Sequence, residues 1–188
     1  RYIIMSLQPW TPAATNPMPA SSQRSCSASI WQAVESVGLS PEWLWHTDQF
    51  DEKQYSALVL PGGFSYGDYL RCGALASRSP VMESVSRAAK NGMPVMGICN
   101  GFQILCESGL LPGVLVENKD LRFIDDWIGL KVENKSSYFG GEASEVKLPI
   151  AHGEGQFYAE ADTVKALEDN NQVWVRYDEN PNGSVNDI

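Results

Sequence analysis

Residues 93–105 constrain the fold of this chain more than any other segment, and they read Met-Pro-Val-Met-Gly-Ile-Cys-Asn-Gly-Phe-Gln-Ile-Leu. A short apolar run leads into a Gly-x-Cys-x-Gly pattern centred on Cys99, and a helical pattern follows directly. This is the spacing of a nucleophile elbow, a sharp strand-to-helix turn in which a Cβ atom at either glycine would collide with the backbone. Small residues around a cysteine are also common in buried strands. If the elbow forms, the Cys99 sulfur lies exposed at a helix N-terminus, where amide N–H groups and the helix dipole favour the thiolate.

The segment upstream of the cysteine supports the elbow. Residues 55–63, Tyr-Ser-Ala-Leu-Val-Leu-Pro-Gly-Gly, predict a buried parallel strand that ends in a tight turn. Residues 79–92 predict a helix, because Ser-Pro starts the segment, apolar residues recur at helical spacing and Asn-Gly ends it. Since the two strands of a βαβ unit run parallel, Gly63 and Cys99 should lie at the same edge of the sheet. The backbone N–H groups of Gly63 and Asn100 could then stabilise an oxyanion beside the cysteine.

Two long motifs carry a family resemblance. Residues 60–71, Leu-Pro-Gly-Gly-Phe-Ser-Tyr-Gly-Asp-Tyr-Leu-Arg, and residues 97–105 resemble the triad-type (class I) glutamine amidotransferases. Within that family they are similar to the glutaminase subunits of phosphoribosylformylglycinamidine synthase, an enzyme of purine biosynthesis. Further segments are similar to those subunits in the same order: 121–123, 132–134, 149–155 and 179–187.

The resemblance implies an α/β fold with an open, mostly parallel twisted sheet and helices on both faces, of the flavodoxin-like type and incomplete at its C-terminus. It places the amidotransferase domain at residues 26–188. Residues 1–25 are atypical for the family. Their apolar start could form a short strand, but prolines at positions 9, 12, 17 and 19 predict that residues 8–25 are irregular or partly disordered.

The chemistry that the resemblance implies is hydrolysis of glutamine to glutamate, with release of ammonia. Cys99 would be the nucleophile that forms a glutamyl thioester, and the N–H groups of Gly63 and Asn100 would bind the oxyanion. Gln103 matches a position that holds the substrate in related amidotransferases. The backbone of three further residues matches a stretch that lines the same pocket: Ala151, His152 and Gly153.

The partners implied by the resemblance are the large synthetase subunit of the same synthase and a small accessory subunit. The synthetase would use the ammonia to convert formylglycinamide ribonucleotide to formylglycinamidine ribonucleotide. ATP and magnesium are expected on that synthetase subunit. We expect no cofactor and no metal in this chain, which has no phosphate-binding glycine loop.

The histidines depart from the family pattern. A cysteine triad needs a histidine that accepts the thiol proton and returns one to ammonia. In the family this residue lies in a later His-Pro-Glu segment, and the sequence reaches Ile188 without one. Its two histidines are His46, near the end of a predicted strand, and His152, in a motif that the family does not use as the base. We therefore expect little glutaminase activity from this chain, which we interpret as an incomplete sequence.

Composition agrees with one cytoplasmic enzyme domain. A net charge of −9 and a pI near 4.7 argue against nucleic acid as a partner, because phosphate binding needs clustered Lys and Arg. No apolar run approaches the roughly 18–20 residues that span a bilayer. The four cysteines (Cys26, Cys72, Cys99 and Cys106) show no Cys-x-x-Cys or metal-like spacing, and Cys106 is interpreted as a small buried residue.

Conspicuous side chains outside these motifs have ordinary interpretations. Trp43 and Trp45 alternate as on one face of a strand, which predicts core positions, and Asp125 and Asp126 predict a solvated turn.

Three hypotheses for the whole chain stay open: a glutaminase subunit, a non-catalytic binding module that keeps the fold, and a different cysteine hydrolase that shares the elbow.

Overall fold

Both glycine-rich turns belong to an α/β unit built around a parallel sheet. The computed structural model describes residues 2–6, 26–63, 73–134 and 143–188. Over these residues the chain forms two compact units, Arg1–Leu111 and Pro112–Ile188.

The sheet of the first unit has four strands in the order β2-β1-β3-β4. Their bounds are β1 Tyr2–Ser6, β2 Pro41–Trp45, β3 Ala57–Leu60 and β4 Val95–Gly97. Every neighbouring pair is parallel, and all four residues of β3 are buried, as expected for the apolar run of an interior strand. The last matched pair of β3 and β4 joins Leu60 to Gly97, so both strands end at one edge of the sheet. This confirms the predicted parallel arrangement.

Within its described residues, the first unit has three α-helices: α1 Cys26–Ser36, α2 Val81–Lys90 and α3 Asn100–Glu107. Helix α2 packs through Val81, Val85 and Ala88, which are fully buried because their spacing places them on one face. It ends at Lys90, Asn91 is its C-cap, and Gly92 follows with a φ of +86° that favours glycine. The predicted stop at Asn91-Gly92 is confirmed, whereas the helix begins at Val81 with Pro80 as its N-cap, one residue later than the predicted start at Pro80.

The second unit is built from antiparallel strands, which the sequence did not predict. Its elements are β5 Val114–Val116, β6 Ile124–Val132, β7 Glu145–His152, β8 Gln156–Tyr158, α4 Ala161–Asp169 and β9 Val175–Tyr177. Strands β5 and β8 form one pair, and β7, β6 and β9 form a three-stranded sheet in that order. Among the residues that the structure describes, the parallel sheet lies in the first unit.

Two predictions about side chains were wrong. Trp45 is 47% exposed, because β2 is an edge strand whose buried residue is Leu44, on the opposite face. Its neighbour Trp43 is half-buried and stacks on Trp31, with ring centroids 4.8 Å apart. The acidic pair at positions 125 and 126 is exposed, but both residues lie inside β6 rather than in a turn.

Some predictions fall outside the described residues. These include the proline-rich segment 8–25, residues 64–72 after the Pro-Gly-Gly turn, and Cys72. The predicted short strand near the amino end is β1, which pairs with both β2 and β3. Among the residues with described positions, no helix is long and apolar enough to cross a membrane.

Candidate active site

The turn around Cys99 has the geometry of a nucleophile elbow. Strand β4 ends at Gly97, α3 begins at Asn100, and Cys99 between them has φ 55° and ψ −119°. A non-glycine residue with positive φ is strained, and such residues cluster at functional sites. Hydrogen bonds hold both sides of the turn, from the Ile98 N–H to the Leu60 carbonyl at 2.9 Å and from the Phe102 N–H to the Cys99 carbonyl at 2.9 Å. Cys99 itself is exposed, as predicted.

The two glycines of the elbow are required by space. A Cβ at Gly97 would lie 2.7 Å from the Gly101 carbonyl oxygen and 2.7 Å from Leu105 Cδ1. A Cβ at Gly101 would overlap the Leu60 carbonyl oxygen and lie 2.6 Å from its carbonyl carbon. Real Cβ atoms do not approach other atoms so closely, so neither position accepts a side chain without a backbone shift. The steric reason predicted for these glycines is confirmed.

A side-chain hydrogen bond joins the elbow to the Pro-Gly-Gly turn. Asn100, which is 4% exposed, donates from Nδ2 to the Gly63 carbonyl oxygen at 2.6 Å. Gly63 has a φ of 142°, which favours glycine. Sequence reasoning assigned Asn100 a role through its backbone N–H alone and missed this bond. An amide side chain directly after the nucleophile was the available signal.

Helix α3 carries Gln103 one turn after Cys99. Gln103 is half-buried, and its N–H approaches the Cys99 carbonyl oxygen at 3.4 Å. Gly73, with a φ of +83°, packs against the helix backbone here, since a Cβ on it would lie 2.9 Å from the Ile104 nitrogen. The structure therefore places Gln103 in the same unit as the elbow and close to Cys99.

The remaining predicted site residues lie in the second unit. Ala151 and His152 end β7, and Gly153 follows them. His152 is half-buried and lies opposite Ile124 of β6 in the ladder. His46 is in the first unit, directly after β2, and its carbonyl accepts a hydrogen bond from the Val81 N–H at 3.1 Å.

A buried asparagine determines which ring nitrogen of His152 carries the proton. Asn118 is 1% exposed and donates from Nδ2 to the carbonyl oxygens of Arg122 at 2.7 Å and His152 at 2.9 Å. Its Oδ1 therefore accepts, and it lies 3.0 Å from the Gly155 nitrogen and 3.1 Å from His152 Nδ1. Since that oxygen cannot donate, the imidazole carries its proton on Nδ1.

The imidazole of His152 is enclosed on several sides. It lies over Gly155 so closely that a Cβ on that glycine would overlap the ring. Nε2 is buried and, among the residues that the structure describes, has no hydrogen-bond partner. Burial lowers the pKa of His152 below its ordinary value, because the charged form loses its hydration. The ring is therefore neutral near pH 7.

A second asparagine, Asn182, forms a hydrogen bond with Gly155, which Asn118 also contacts. Asn182 is fully buried and donates from Nδ2 to the Gly155 carbonyl at 2.8 Å and to the Tyr177 hydroxyl at 3.1 Å. Its Oδ1 accepts from the backbone N–H and the hydroxyl of Ser184, at 3.1 and 2.8 Å. Gly155 is thus held at its N–H by Asn118 and at its carbonyl by Asn182. Sequence reasoning did not identify either asparagine.

Cys99 and Cys106 differ in burial. Cys106, on the same helix as the elbow, is buried as predicted, and burial, together with the nearby charge of Glu107, raises its pKa to about 11. Cys99 is exposed at the start of the helix. In the described parts of the chain, no three His, Cys, Asp or Glu side chains are grouped so that they could hold a metal ion.

Comparison with protein families identifies the family in which this elbow occurs. Residues 25–188 match the CobB/CobQ-like glutamine amidotransferase domain. The chain belongs to this amidotransferase family. The elbow at Cys99 therefore occurs in a family of glutamine-dependent enzymes, as the motifs predicted.

Solved structures agree with the family. A chain of the PurLQS structure from Thermotoga maritima is 34% identical to this amidotransferase, with a TM-score of 0.78. The match covers 100% of this chain and 78% of that one. A glutamine amidotransferase from the same organism is 15% identical with a TM-score of 0.51, over 91% of this chain and 83% of its own. That second likeness shows the fold alone, and the predicted class I amidotransferase fold is confirmed.

Proposed function

We propose that this chain is a glutaminase component in which Cys99 attacks the side-chain amide carbon of glutamine. A carbon–sulfur bond forms, the carbonyl oxygen becomes an oxyanion, and the carbon–nitrogen bond then breaks as the nitrogen takes a proton and leaves as ammonia. Water hydrolyses the resulting glutamyl thioester to glutamate and restores the thiol. The observation that carries this proposal is the exposed, strained elbow at Cys99 in a chain of the amidotransferase family.

The oxyanion would be bound by the backbone N–H groups of Gly63 and Asn100. The bond from Asn100 Nδ2 to the Gly63 carbonyl supports this assignment, because it fixes the two turns at one edge of the sheet. Donors that are already in place stabilise developing charge without reorganisation, and one such donor is worth about 10²–10³ in rate. We further propose that Gln103 and the backbone of Ala151, His152 and Gly153 contact the glutamine.

Neither histidine in the sequence is proposed as the base. The Nδ1 proton of His152 is engaged by Asn118 and its Nε2 is buried, which supports a structural role. Removing one member of a triad lowers turnover by several orders of magnitude while binding persists. We therefore expect these 188 residues to bind glutamine and present the nucleophile, but to turn over slowly by themselves.

The ammonia would pass to a synthetase of purine biosynthesis. The 34% identity to a PurLQS chain along the whole sequence supports this assignment. We propose a large synthetase subunit of phosphoribosylformylglycinamidine synthase and a small accessory subunit as partners. ATP and magnesium would bind the synthetase, which would convert formylglycinamide ribonucleotide to formylglycinamidine ribonucleotide.

A diazo ketone analogue of glutamine tests the proposal. A thiolate displaces nitrogen from such a reagent and forms a stable carbon–sulfur bond, which peptide mass spectrometry locates. We expect labelling at Cys99 that saturates with reagent concentration, and none in a Cys99→Ala variant. The absence of labelling, even with a synthetase partner present, would favour a non-catalytic binding module. Reaction with esters or peptides but not with glutamine analogues would favour another cysteine hydrolase.

A further inference from the structure

We propose that one face of the sheet formed by β6 and β7 is a docking surface for a basic, arginine-bearing segment of a partner protein. An arginine of that segment would stack on the indole ring of Trp127 and pair with the carboxylate of Asp125. The inference goes beyond the proposed function, because it concerns the second unit by itself and needs no chemistry at Cys99.

The docking surface is the outer face of two paired antiparallel strands. This outer face consists of alternate residues: 125, 127, 129 and 131 of β6, and 145, 147, 149 and 151 of β7. All eight are exposed, whereas Ile128 and Leu130, which point to the opposite face of β6, are buried. Within the described part of the second unit, therefore, no element buries the outer face.

Trp127 is the large apolar side chain of the outer face. It is 61% exposed and lies opposite Pro149 in the ladder, and its nearest neighbours along the same face of β6 are Asp125 and Gly129. Phe123, which directly precedes the strand, is 68% exposed. Tryptophan is enriched among the residues that contribute most to binding at protein interfaces. The position of Trp127 therefore favours contact with a partner over a role in the core of this unit.

Asp125 places a negative charge next to this ring. Among the described residues, its carboxylate has no hydrogen bond and no ion pair. The other charged residues of the outer face, two lysines and a glutamate, lie at the far end, where Lys131 is already paired with Asp178 at 2.5 Å. Alternate residues of a strand are about 7 Å apart, so one long side chain can contact both Asp125 and Trp127.

Arginine is the side chain that matches this pair of groups. Its planar guanidinium stacks on the face of an aromatic ring, where the ring quadrupole attracts the positive charge, and its N–H groups bind a carboxylate at the same time. Lysine carries a compact charge on a flexible stem and cannot stack in this way. The outer face should therefore prefer arginine to lysine.

The charge of the whole second unit favours a basic partner. Pro112–Ile188 contains 15 acidic and 7 basic residues, so it carries −8 of the net charge of −9. The first unit, with 8 acidic and 7 basic residues, is almost balanced. Complementary charge speeds the encounter of two proteins and disfavours partners of like charge. A positively charged protein segment is thus the occupant that fits the outer face.

The test compares two dye-labelled peptides of equal charge, hexa-arginine and hexalysine with blocked ends, by fluorescence anisotropy with the full chain. We expect hexa-arginine to bind more tightly. Trp127→Ala should weaken the binding of hexa-arginine at least about threefold and leave that of hexalysine nearly unchanged, because the stacked guanidinium is lost. Asp125→Asn should weaken both peptides about threefold, and this loss should shrink at high salt.

Two control variants change similar residues outside the outer face. Asp126→Asn removes the same charge from the opposite face of β6, one position further along, and Trp174→Ala removes another exposed tryptophan of the second unit. Both should leave the two affinities unchanged. Circular dichroism checks the fold of every variant. If Trp127→Ala is unfolded, Trp127→Leu replaces it, since leucine keeps an apolar side chain but no ring.

The possible outcomes separate the inference from its alternatives. A preference for arginine that is lost with Trp127, together with weaker binding in Asp125→Asn but not in Asp126→Asn, supports the inference. Equal weakening in both carboxylate variants would show diffuse attraction of cations by an acidic unit, and would overturn it. The absence of peptide binding would also overturn it. None of these results depends on labelling of Cys99, so the proposed function stands or fails separately.

Discussion

Gly101→Ala tests the packing of the elbow through the sign of its effect on stability. Gly101 lies in α3, where alanine is ordinarily about 1 kcal/mol more favourable than glycine. Helix propensity alone therefore predicts that the variant is more stable. The structure predicts the opposite, because the new methyl group would overlap the Leu60 carbonyl of the central strand β3.

The magnitude follows from the contacts of that carbonyl. Overpacking costs about 1–3 kcal/mol, and backbone cannot move aside as a flexible side chain does. The same carbonyl accepts the Ile98 N–H at 2.9 Å, so its displacement weakens a hydrogen bond worth about 1 kcal/mol. Against these costs stands the gain of about 1 kcal/mol from helix propensity. We expect a net loss of about 1–3 kcal/mol in the free energy of unfolding.

Urea unfolding followed by circular dichroism measures this difference. Gly129→Ala is the matched control, since it lies in β6 without positive φ and its nearest new contact, Asp178 Cβ, would be 3.4 Å away. The control should change the free energy of unfolding by no more than about 0.5 kcal/mol. A Gly101→Ala variant as stable as the parent chain, or more stable, would refute the steric account of the elbow.

Three further predictions concern single side chains. NMR titration of the ring protons should give His152 a pKa below the ordinary 6.5. Because the unfolded chain then takes up the proton first, the free energy of unfolding should fall as the pH drops through 6.5. The His152→Gln variant should lose that part of the pH dependence. Asn100→Ala loses the bond to Gly63 and should slow maximal labelling of Cys99 by about tenfold or more, and unchanged kinetics would contradict the proposed role of this bond. Cys106 should resist iodoacetamide at pH 7, because burial raises the pKa of its thiol to about 11, whereas the exposed Cys99 should react. Equal modification of the two cysteines in the folded chain would contradict this prediction.

The elbow could be predicted because its determinants are close in sequence. Gly97, Cys99 and Gly101 lie within five residues, and their spacing reports the steric limits of one turn. The crossover from β3 through α2 to β4 followed from an apolar run and from helix start and stop residues, and the parallel register follows from that connection. Local pattern was therefore sufficient for this part of the fold.

The asparagine network could not be predicted in this way. Asn118 contacts His152 from 34 positions away, and Asn182 contacts Gly155 from 27 positions away, so no local pattern links them. The exposure of Trp45 depends on β2 being an edge strand, which is a property of strand order rather than of the alternating pattern. The residues around Asn182, Asn-Pro-Asn-Gly, predict a turn, but they do not indicate which residues the Asn182 side chain contacts.

Protection of Cys99 by the substrate tests the central claim most directly. Alkylation by iodoacetamide is followed by peptide mass spectrometry at increasing concentrations of L-glutamine, with D-glutamine as the control of identical composition. We predict that L-glutamine slows modification of Cys99 in a saturable manner and that D-glutamine does not. Equal rates of modification at every concentration of both enantiomers would contradict the claim that this sulfur faces bound glutamine.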